Sequence, residues 1–478
     1  MTALPDKNGL KLLLQAPPAS CYDPRMNRVL DVSNWKRIVA TNWPLLLILS
    51  GAAALRLLWV LHAQTQPVSF ADPGWYYAVA SNIVHGYGFT VRIISEEWAA
   101  GPGGSATTLW PPGWPFTLAA AFFVFGTGLT VAKLINVVAG VITVYLVFRM
   151  GEMLFERRVG LIGAALIAFY PNLVYWSSTL YSDVYFTMWF CLAFFLMLRT
   201  RDWQGKSSLW GSALLGLVIG VAALIRGQGL LLPLYALLLW LMTLGRAEAI
   251  KRTLVAVAAV AVVILPWTVR NVATYHAPIL VSANDGFNLY VGHNPDATGR
   301  FVGPTELWAM DPGISYRERE ALFSREGRDL AIEYAVHHPG REVVLSLKKL
   351  FYLFVPDSDA LDWANYGTSV APDSVREGLM WFSDAYYWLL LLLGIGGVVA
   401  AWRQRAVRWL LFVFASWAAF HVVFFAEPRF HIPLLPLVAL VAALALLEIQ
   451  RYAFSEPEIV SKSRAKKRRR AAAGSGRR

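Results

Sequence analysis

Two cysteines among 478 residues exclude a disulfide framework, and Cys21 and Cys191 form no metal-ligand spacing. Charge is scarce too: Asp, Glu, Lys and Arg make up 15% of the chain while 56% is hydrophobic, with mean hydropathy +0.47. That balance excludes an ordinary soluble domain and describes a polytopic membrane protein. No repeat of fixed period and no HExxH pairing of histidines is present. The net charge of +12 does not point to nucleic acid, because the basic residues sit in short loops between apolar runs and in the C-terminal tail. That is how orientation signals are distributed.

The apolar runs predict about ten transmembrane helices in an all-α polytopic membrane protein. They are Pro44 to His62, Val131 to Phe148, Val159 to Trp176, Asp183 to Leu198, Leu209 to Ile225, Gly229 to Leu244, Thr253 to Val269, Asp384 to Trp402, Val407 to Phe425 and Phe430 to Leu447. Arg56 lies within the first, where a lone arginine faces the bundle or snorkels. The run from Pro111 to Gly126 is apolar enough to cross, but crossing would move every later basic loop to the other side. Read as an interfacial helix, it leaves Arg149, Arg157, Arg158, Arg199, Arg201, Lys206, Arg246, Lys251, Arg252, Arg403, Arg405 and Arg408 on the side of the N-terminus.

The resulting organisation is a cytoplasmic N-terminal segment 1–43, a bundle 44–270 with a first external loop 63–130, an external domain 271–383, C-terminal spans 384–449 and a basic cytoplasmic tail 450–478. Within the external domain, Ser315 to His337 reads as a charged helix and Val343 to Val355 as a second helix lying on the membrane surface. The tail from Lys462 to Arg478 anchors topology or touches anionic lipid heads.

The stretch Phe70-Ala71-Asp72-Pro73-Gly74-Trp75-Tyr76-Tyr77 follows the first span directly. Asp before Pro caps a helix, here running to about Val84 and stopping at His85-Gly86-Tyr87-Gly88. An acid held at the membrane surface also serves chemistry, and one carboxylate has oxygens for both roles. Asp183, at the start of a span, is either an N-cap or a second acid. Arg226, Arg270 and Arg429 fall at the external ends of spans, where they cap carbonyls, snorkel or hold a lipid phosphate. The scattered histidines read as ordinary polar surface, and most Trp and Tyr residues as interfacial belts.

Taken together, the Asp72 stretch, Pro111-Pro112-Gly113-Trp114-Pro115, Leu180-Tyr181-Ser182-Asp183, Pro266-Trp267-Thr268-Val269-Arg270-Asn271, Asn288-Leu289-Tyr290-Val291-Gly292-His293-Asn294 and Pro428-Arg429-Phe430-His431-Ile432-Pro433 resemble the GT-C glycosyltransferases. Within that superfamily the chain is similar to bacterial relatives of the protein O-mannosyltransferases and lipid A aminoarabinose transferases. The resemblance implies an inner-membrane enzyme with both termini cytoplasmic. It would move a sugar from a polyprenyl-phosphate donor to a cell-envelope acceptor by inverting displacement.

The resemblance places Asp72 and Asp183 as catalytic acids. With such a donor, Arg226, Arg270 and Arg429 at the external span ends are expected on its phosphate, and Trp75, Tyr76, Asn288 and Asn294 on substrate. The resemblance names no metal ligands and leaves room for a divalent metal. The partners implied are the lipid-linked sugar, the acceptor and the bilayer, with no nucleic acid. Two departures stand out. Asp72 is followed by Pro73 where many relatives have a second acid, and Trp110 stands where the aminoarabinose transferases have a lysine. A secondary transporter or flippase of lipid-linked sugars is the alternative, but that class gathers its ionisable residues at mid-membrane.

The topology is open to cysteine-accessibility scanning. Single cysteines in 63–130 and 271–383 should label from outside the cell, and those at Gly160 or Lys206 should not; external labelling there would mean that Pro111 to Gly126 crosses.

Overall fold

The computed structural model describes residues 32–63, 71–94, 97–303, 316–365 and 371–454. The basic tail from 455 onward and most of the N-terminal segment lie outside the described residues. The chain divides into a short unit ending at Leu47 and a main unit from Ile48 onward, and the description below concerns the main unit.

Helix α1 (Val32–His62) leads into a loop that carries α2 (Asp72–Val84), strands β1 (Thr90–Ile94), β2 (Glu97–Ala99) and β3 (Ser105–Ala106), and α3 (Gly113–Phe125). The bundle continues through α4 (Leu129–Leu154), α5 (Arg157–Ala168), α6 (Pro171–Trp176), α7 (Asp183–Thr200), α8 (Gly205–Ile225), a 3₁₀ turn at Gly227–Leu231, α9 (Leu232–Thr243) and α10 (Arg246–Tyr275). A second long loop holds α11 (Asp285–Gly292), α12 (Tyr316–His337), α13 (Pro339–Leu353) and α14 (Asp359–Asn365). Then follow α15 (Asp373–Ala401), α16 (Arg405–Val423), a 3₁₀ turn at Pro428–Leu434 and α17 (Leu435–Phe454).

Among the described residues eight helices are long and apolar enough to cross a membrane, so this is a multi-pass membrane protein of the all-α class. Two of the ten expected spans are not single unbroken helices. Val159 to Trp176 is two helices, because Tyr170 is extended and Pro171 starts a new helix whose first position needs no N–H. Gly229 to Leu244 is a 3₁₀ turn followed by a helix of twelve residues that begins around Pro233.

The run from Pro111 to Gly126 forms a helix of thirteen residues, short of a crossing. Its start is wedged against the end of α8: a Cβ on Gly113 would lie 2.8 Å from the Leu224 carbonyl oxygen. Trp114 donates from Nε1 to the Leu180 carbonyl at 2.8 Å, which ties α3 to the segment entering α7. The small sheet, in order β2-β1-β3 and antiparallel throughout, was not foreseen from the hydropathy pattern. Strands this short carry no recognisable alternation. α2 ends as expected at Gly86 and Gly88, both with positive φ, and Asn82 bonds across the turn to the Thr90 carbonyl at 2.9 Å and the Gly101 N–H at 2.7 Å.

Without a hydrophobic driving force between helices in lipid, close backbone approach at small residues supplies the packing. Gly216 on α8 and Gly397 on α15 are such points: a Cβ on either would stand 2.2 Å from the Ala256 carbonyl oxygen and 1.9 Å from that of Val441, respectively. Arg56 faces the bundle, 1% exposed, and donates to the carbonyls of Ala168 at 2.9 Å and Ile167 at 3.2 Å at the end of α5. It thereby satisfies groups that the α5–α6 break frees. In the second loop, α13 is amphipathic: Val343, Val344, Leu347 and Phe351 are exposed while Leu345, Lys349 and Leu353 are buried. This is the form expected of the helix beginning at Val343.

Gly216→Val places a branched side chain where α10 backbone already stands. It should lower the unfolding free energy by roughly 1–3 kcal/mol, read from denaturation in detergent, whereas the same change at exposed Gly378, with nothing near it, should cost less.

Candidate functional site

Asp72, Asp183, Arg226 and Arg429 come together from distant parts of the chain. Each stands at the end of a helix. Asp72 and Asp183 are the first residues of α2 and α7, Arg226 caps the C-terminus of α8 in an extended conformation, and Arg429 lies on the 3₁₀ turn before α17. Acids in a first helical turn and a cation beyond a last turn complement the helix dipoles.

Neither acid is a cap. The residues flanking the helix starts are Ala71 and Ser182, and no side chain caps either helix, so the capping reading of Asp72 and Asp183 is corrected. Both carboxylates turn to arginine instead. Asp183, fully buried, accepts from Arg226 NH2 on Oδ2 at 2.9 Å and has Arg226 NH1 2.9 Å from Oδ1. Arg226 Nε donates to Ser182 Oγ at 3.0 Å, which fixes the plane of the guanidinium. Asp72 Oδ2 accepts from both NH1 and NH2 of Arg429 at 3.3 Å, and Arg429 NH1 also lies 3.9 Å from Asp183 Oδ2. The Arg429 guanidinium sits over the Tyr181 ring, 4.4 Å from its centroid.

Two acids and two guanidinium groups thus form one nearly neutral cluster. Tyr76, one turn after Asp72, is buried beside it; burial first and the Asp72 charge second push its hydroxyl well above the ordinary phenol value, so it remains a donor.

The other residues singled out from the sequence lie elsewhere. Trp75 is buried in the core of the first loop, against Trp110 and Phe89, with Nε1 donating to Thr107 Oγ1 at 3.3 Å. Arg270 donates to the Thr107 carbonyl at 3.0 Å and stacks over Trp267, 4.7 Å from the ring centroid. Asn294 closes α11, donating to the Tyr290 carbonyl at 2.7 Å, and Asn288 lies within that helix.

Sequence reasoning missed three acids in or facing the second loop. Glu320 is buried and accepts from Thr107 Oγ1 at 2.5 Å, the Thr108 N–H at 2.7 Å and Tyr275 OH at 3.0 Å, joining the two long loops to the end of α10. Asp357 is buried at the α5–α6 break, where Tyr170 OH donates at 2.6 Å and Asn172 Nδ2 at 2.9 Å, with His431 Nε2 at 3.6 Å. Burial would raise its carboxyl, but the facing His431 and the Tyr170 and Asn172 donors more than offset this and hold it below the ordinary range. Asp359, two residues on, is different: its Oδ1 is out of solvent and has no hydrogen-bond partner. The signal available was Asp357-Ser358-Asp359 after a proline, which reads as a surface turn.

Each carboxylate of the central cluster faces guanidinium rather than further acids or imidazoles, and among the described residues no three His, Cys, Asp or Glu side chains converge. This donor set does not fit a divalent metal.

The chain is similar to known proteins in part of its sequence and in its fold. The sequence profile of the dolichyl-phosphate-mannose-protein mannosyltransferase family matches residues 110–269. The fold matches the oligosaccharyltransferase of Archaeoglobus fulgidus tethered to an acceptor peptide, with TM-score 0.52 and 17% identity over 86% of this chain and 50% of that one. It also matches that organism's oligosaccharyltransferase AglB in complex with an inhibitory peptide and a dolichol-phosphate, with TM-score 0.52 and 16% identity over 88% and 53%. The chain therefore spans about half the length of these structures. ArnT from Cupriavidus metallidurans bound to undecaprenyl phosphate aligns with TM-score 0.40 and 15% identity over 85% and 78%. No curated protein matches the sequence.

Because Asp183 is buried, Arg226→Leu should cost about 3–5 kcal/mol by leaving a buried charge uncompensated. The double change Arg226→Leu with Asp183→Leu should recover most of that loss in thermal unfolding. A single change without effect on stability would show that the pair is not buried in the folded protein.

Proposed function

We propose that this chain is a membrane glycosyltransferase that moves a sugar from a polyprenyl-phosphate donor to a cell-envelope acceptor on the external face of a bacterial plasma membrane, with both termini cytoplasmic. The observation that carries this reading is the pairing of Asp72 with Arg429 and Asp183 with Arg226 at the helix ends, where acids and cations stand side by side. The family profile over residues 110–269 and the fold shared with AglB support the reaction class.

The reaction needs two things of the protein. A base must take the proton of the acceptor hydroxyl, and cations must stabilise the charge that develops on the leaving phosphate. The acceptor oxygen attacks the anomeric carbon, the bond from that carbon to the phosphate oxygen breaks with its electron pair going to phosphate, and the proton passes to Asp72. One displacement inverts the anomeric configuration.

Arg429 links the two requirements. Its contacts to Asp72 are long, at 3.3 Å, and its charge is shared with Asp183 at 3.9 Å. An arriving phosphate competes for this guanidinium and frees the Asp72 oxygen to accept a proton. Arg226, held by Ser182 and Asp183, contributes the second positive charge and keeps its place. Arg270, engaged with the first loop, holds the wall of the site under this reading.

Asp72→Asn preserves shape and hydrogen bonding but cannot take the proton. Offered a panel of polyprenyl-phosphate sugars, with lipid and acceptor products read by mass spectrometry, the variant should insert and fold like the wild type and turn over roughly two to four orders of magnitude more slowly. Full activity in Asp72→Asn would remove Asp72 as the base. Transport of labelled lipid-linked sugar across proteoliposomes without bond formation would replace the transferase reading by the flippase one.

A further inference from the structure

We infer that helix α14 carries a saccharide subsite on the acceptor side of the site, in which Asp359 receives a ring hydroxyl while the ring lies against Trp363. This rests on the transferase reading above and adds to it the place where the acceptor binds. The two acids of the cluster and their neighbours Asp357 and Glu427 are engaged. Asp72 and Asp183 face arginines, Asp357 is held by Tyr170 and Asn172, and Glu427 accepts from Arg300 NH2 at 2.7 Å and the Phe301 N–H at 2.9 Å. Asp359 keeps a buried carboxylate oxygen without a hydrogen-bond donor, whereas the Asp183 oxygen in the same state has Arg226 NH1 at 2.9 Å. Removal from water is then uncompensated, and a ligand hydroxyl supplies the missing bond.

The neighbours of that oxygen define what fits. Trp363 is one helical turn beyond Asp359 and so shares its face of α14. Its ring meets Tyr181 edge-on at 5.2 Å, and Tyr181 in turn lies under the Arg429 guanidinium that holds Asp72. The half-buried Trp363 ring beside a carboxylate suits a saccharide, whose C–H face packs on the indole while its hydroxyls donate.

Titration provides a signature. Burial first, and the negative charge of Asp357 second, push the Asp359 carboxyl up to about 7. The other charges facing it are Arg429, Glu427 and Arg300, with the Tyr181 hydroxyl close by. Below about pH 7 the group is protonated and its bond to a hydroxyl is weak; above it the ionised form accepts a charge-assisted bond. Saccharide binding should therefore strengthen as pH rises through this value.

The test uses the full chain in nanodiscs and saturation-transfer NMR with methyl α-mannoside and methyl α-glucoside as probes, at pH 6 and pH 8. The wild type should show saturable transfer that is several-fold stronger at pH 8. Asp359→Asn should bind several-fold more weakly with no pH dependence, Asp359→Glu should restore the dependence, and Trp363→Ala should weaken binding at both pH values. Equal binding and an unchanged pH profile in Asp359→Asn would overturn the subsite, as would the absence of saturable transfer in the wild type. Parallel turnover assays separate the two readings. Glycoside binding that depends on Asp359, in a protein that transfers from no polyprenyl-phosphate sugar, upholds the subsite and refutes the transferase; turnover with an acceptor KM indifferent to Asp359→Asn does the reverse.

Discussion

A carboxylate without solvent must be neutralised, and the Asp183–Arg226 pair at 2.9 Å meets that demand at the centre of this fold. An unpaired buried charge costs more than most single contacts can return, so the pair dictates where its elements end. α8 has to stop at Arg226, and α7 has to begin at Asp183, for the two side chains to meet. Arg429 then fits between Asp183 and Asp72, which draws the 3₁₀ turn before α17 and the start of α2 to the same point. Packing of the first loop follows, because α3 is pinned to both partners: by Gly113 against the end of α8 and by Trp114 on the Leu180 carbonyl.

The same rule explains the helix breaks. A continuous helix from Val159 to Trp176 would satisfy its own backbone but offer nothing to Asp357. Broken at Tyr170, it presents Tyr170, Asn172 and Trp176 to one carboxylate, while Arg56 takes up the carbonyls released at the end of α5. Non-helical backbone inside a membrane bundle is tolerated only where protein groups resatisfy it. Glu320 acts likewise between α12, the first loop and Tyr275, so buried acids fasten the second loop to the bundle at both of its flanks.

The sequence made the membrane class legible because long apolar runs are a direct physical requirement of crossing lipid. It also made α2 legible, through Asp72-Pro73 at one end and paired glycines at the other. It misjudged what Asp72 does there. Local chemistry makes Asp before Pro a cap, and only the arrival of Arg429, 357 residues later, turns the carboxylate away from its own helix. The breaks at Pro171 and before Pro233 stayed hidden because a hydropathy window averages over a break that a single residue produces. Asp357 and Asp359 read alike in the sequence, and only tertiary structure surrounds one with donors and leaves an oxygen of the other without. Spacing finds motifs on one element; it does not find residues that meet only after distant helices have packed.

The ends of helices do the electrostatic work that a dedicated binding loop does in a soluble enzyme. Each acid of the cluster opens a helix and Arg226 closes one, so these three charges are already favoured by the local dipole before they find their partners, whereas Arg429, at the start of a 3₁₀ turn, relies on the acids. The facing arginines offset part of what the carboxylates lose on leaving water. The two pairs nevertheless differ in a way that matters for chemistry. Asp183 and Arg226 meet at 2.9 Å with Ser182 as a third support, a geometry that resists rearrangement. Asp72 and Arg429 meet only at 3.3 Å, with the guanidinium resting on the Tyr181 ring and partly shared with Asp183. A rigid pair beside a loose one lets an incoming anion displace Asp72 from Arg429 without unfastening α7 from α8, so the group able to change partners is separate from the group that holds the bundle together.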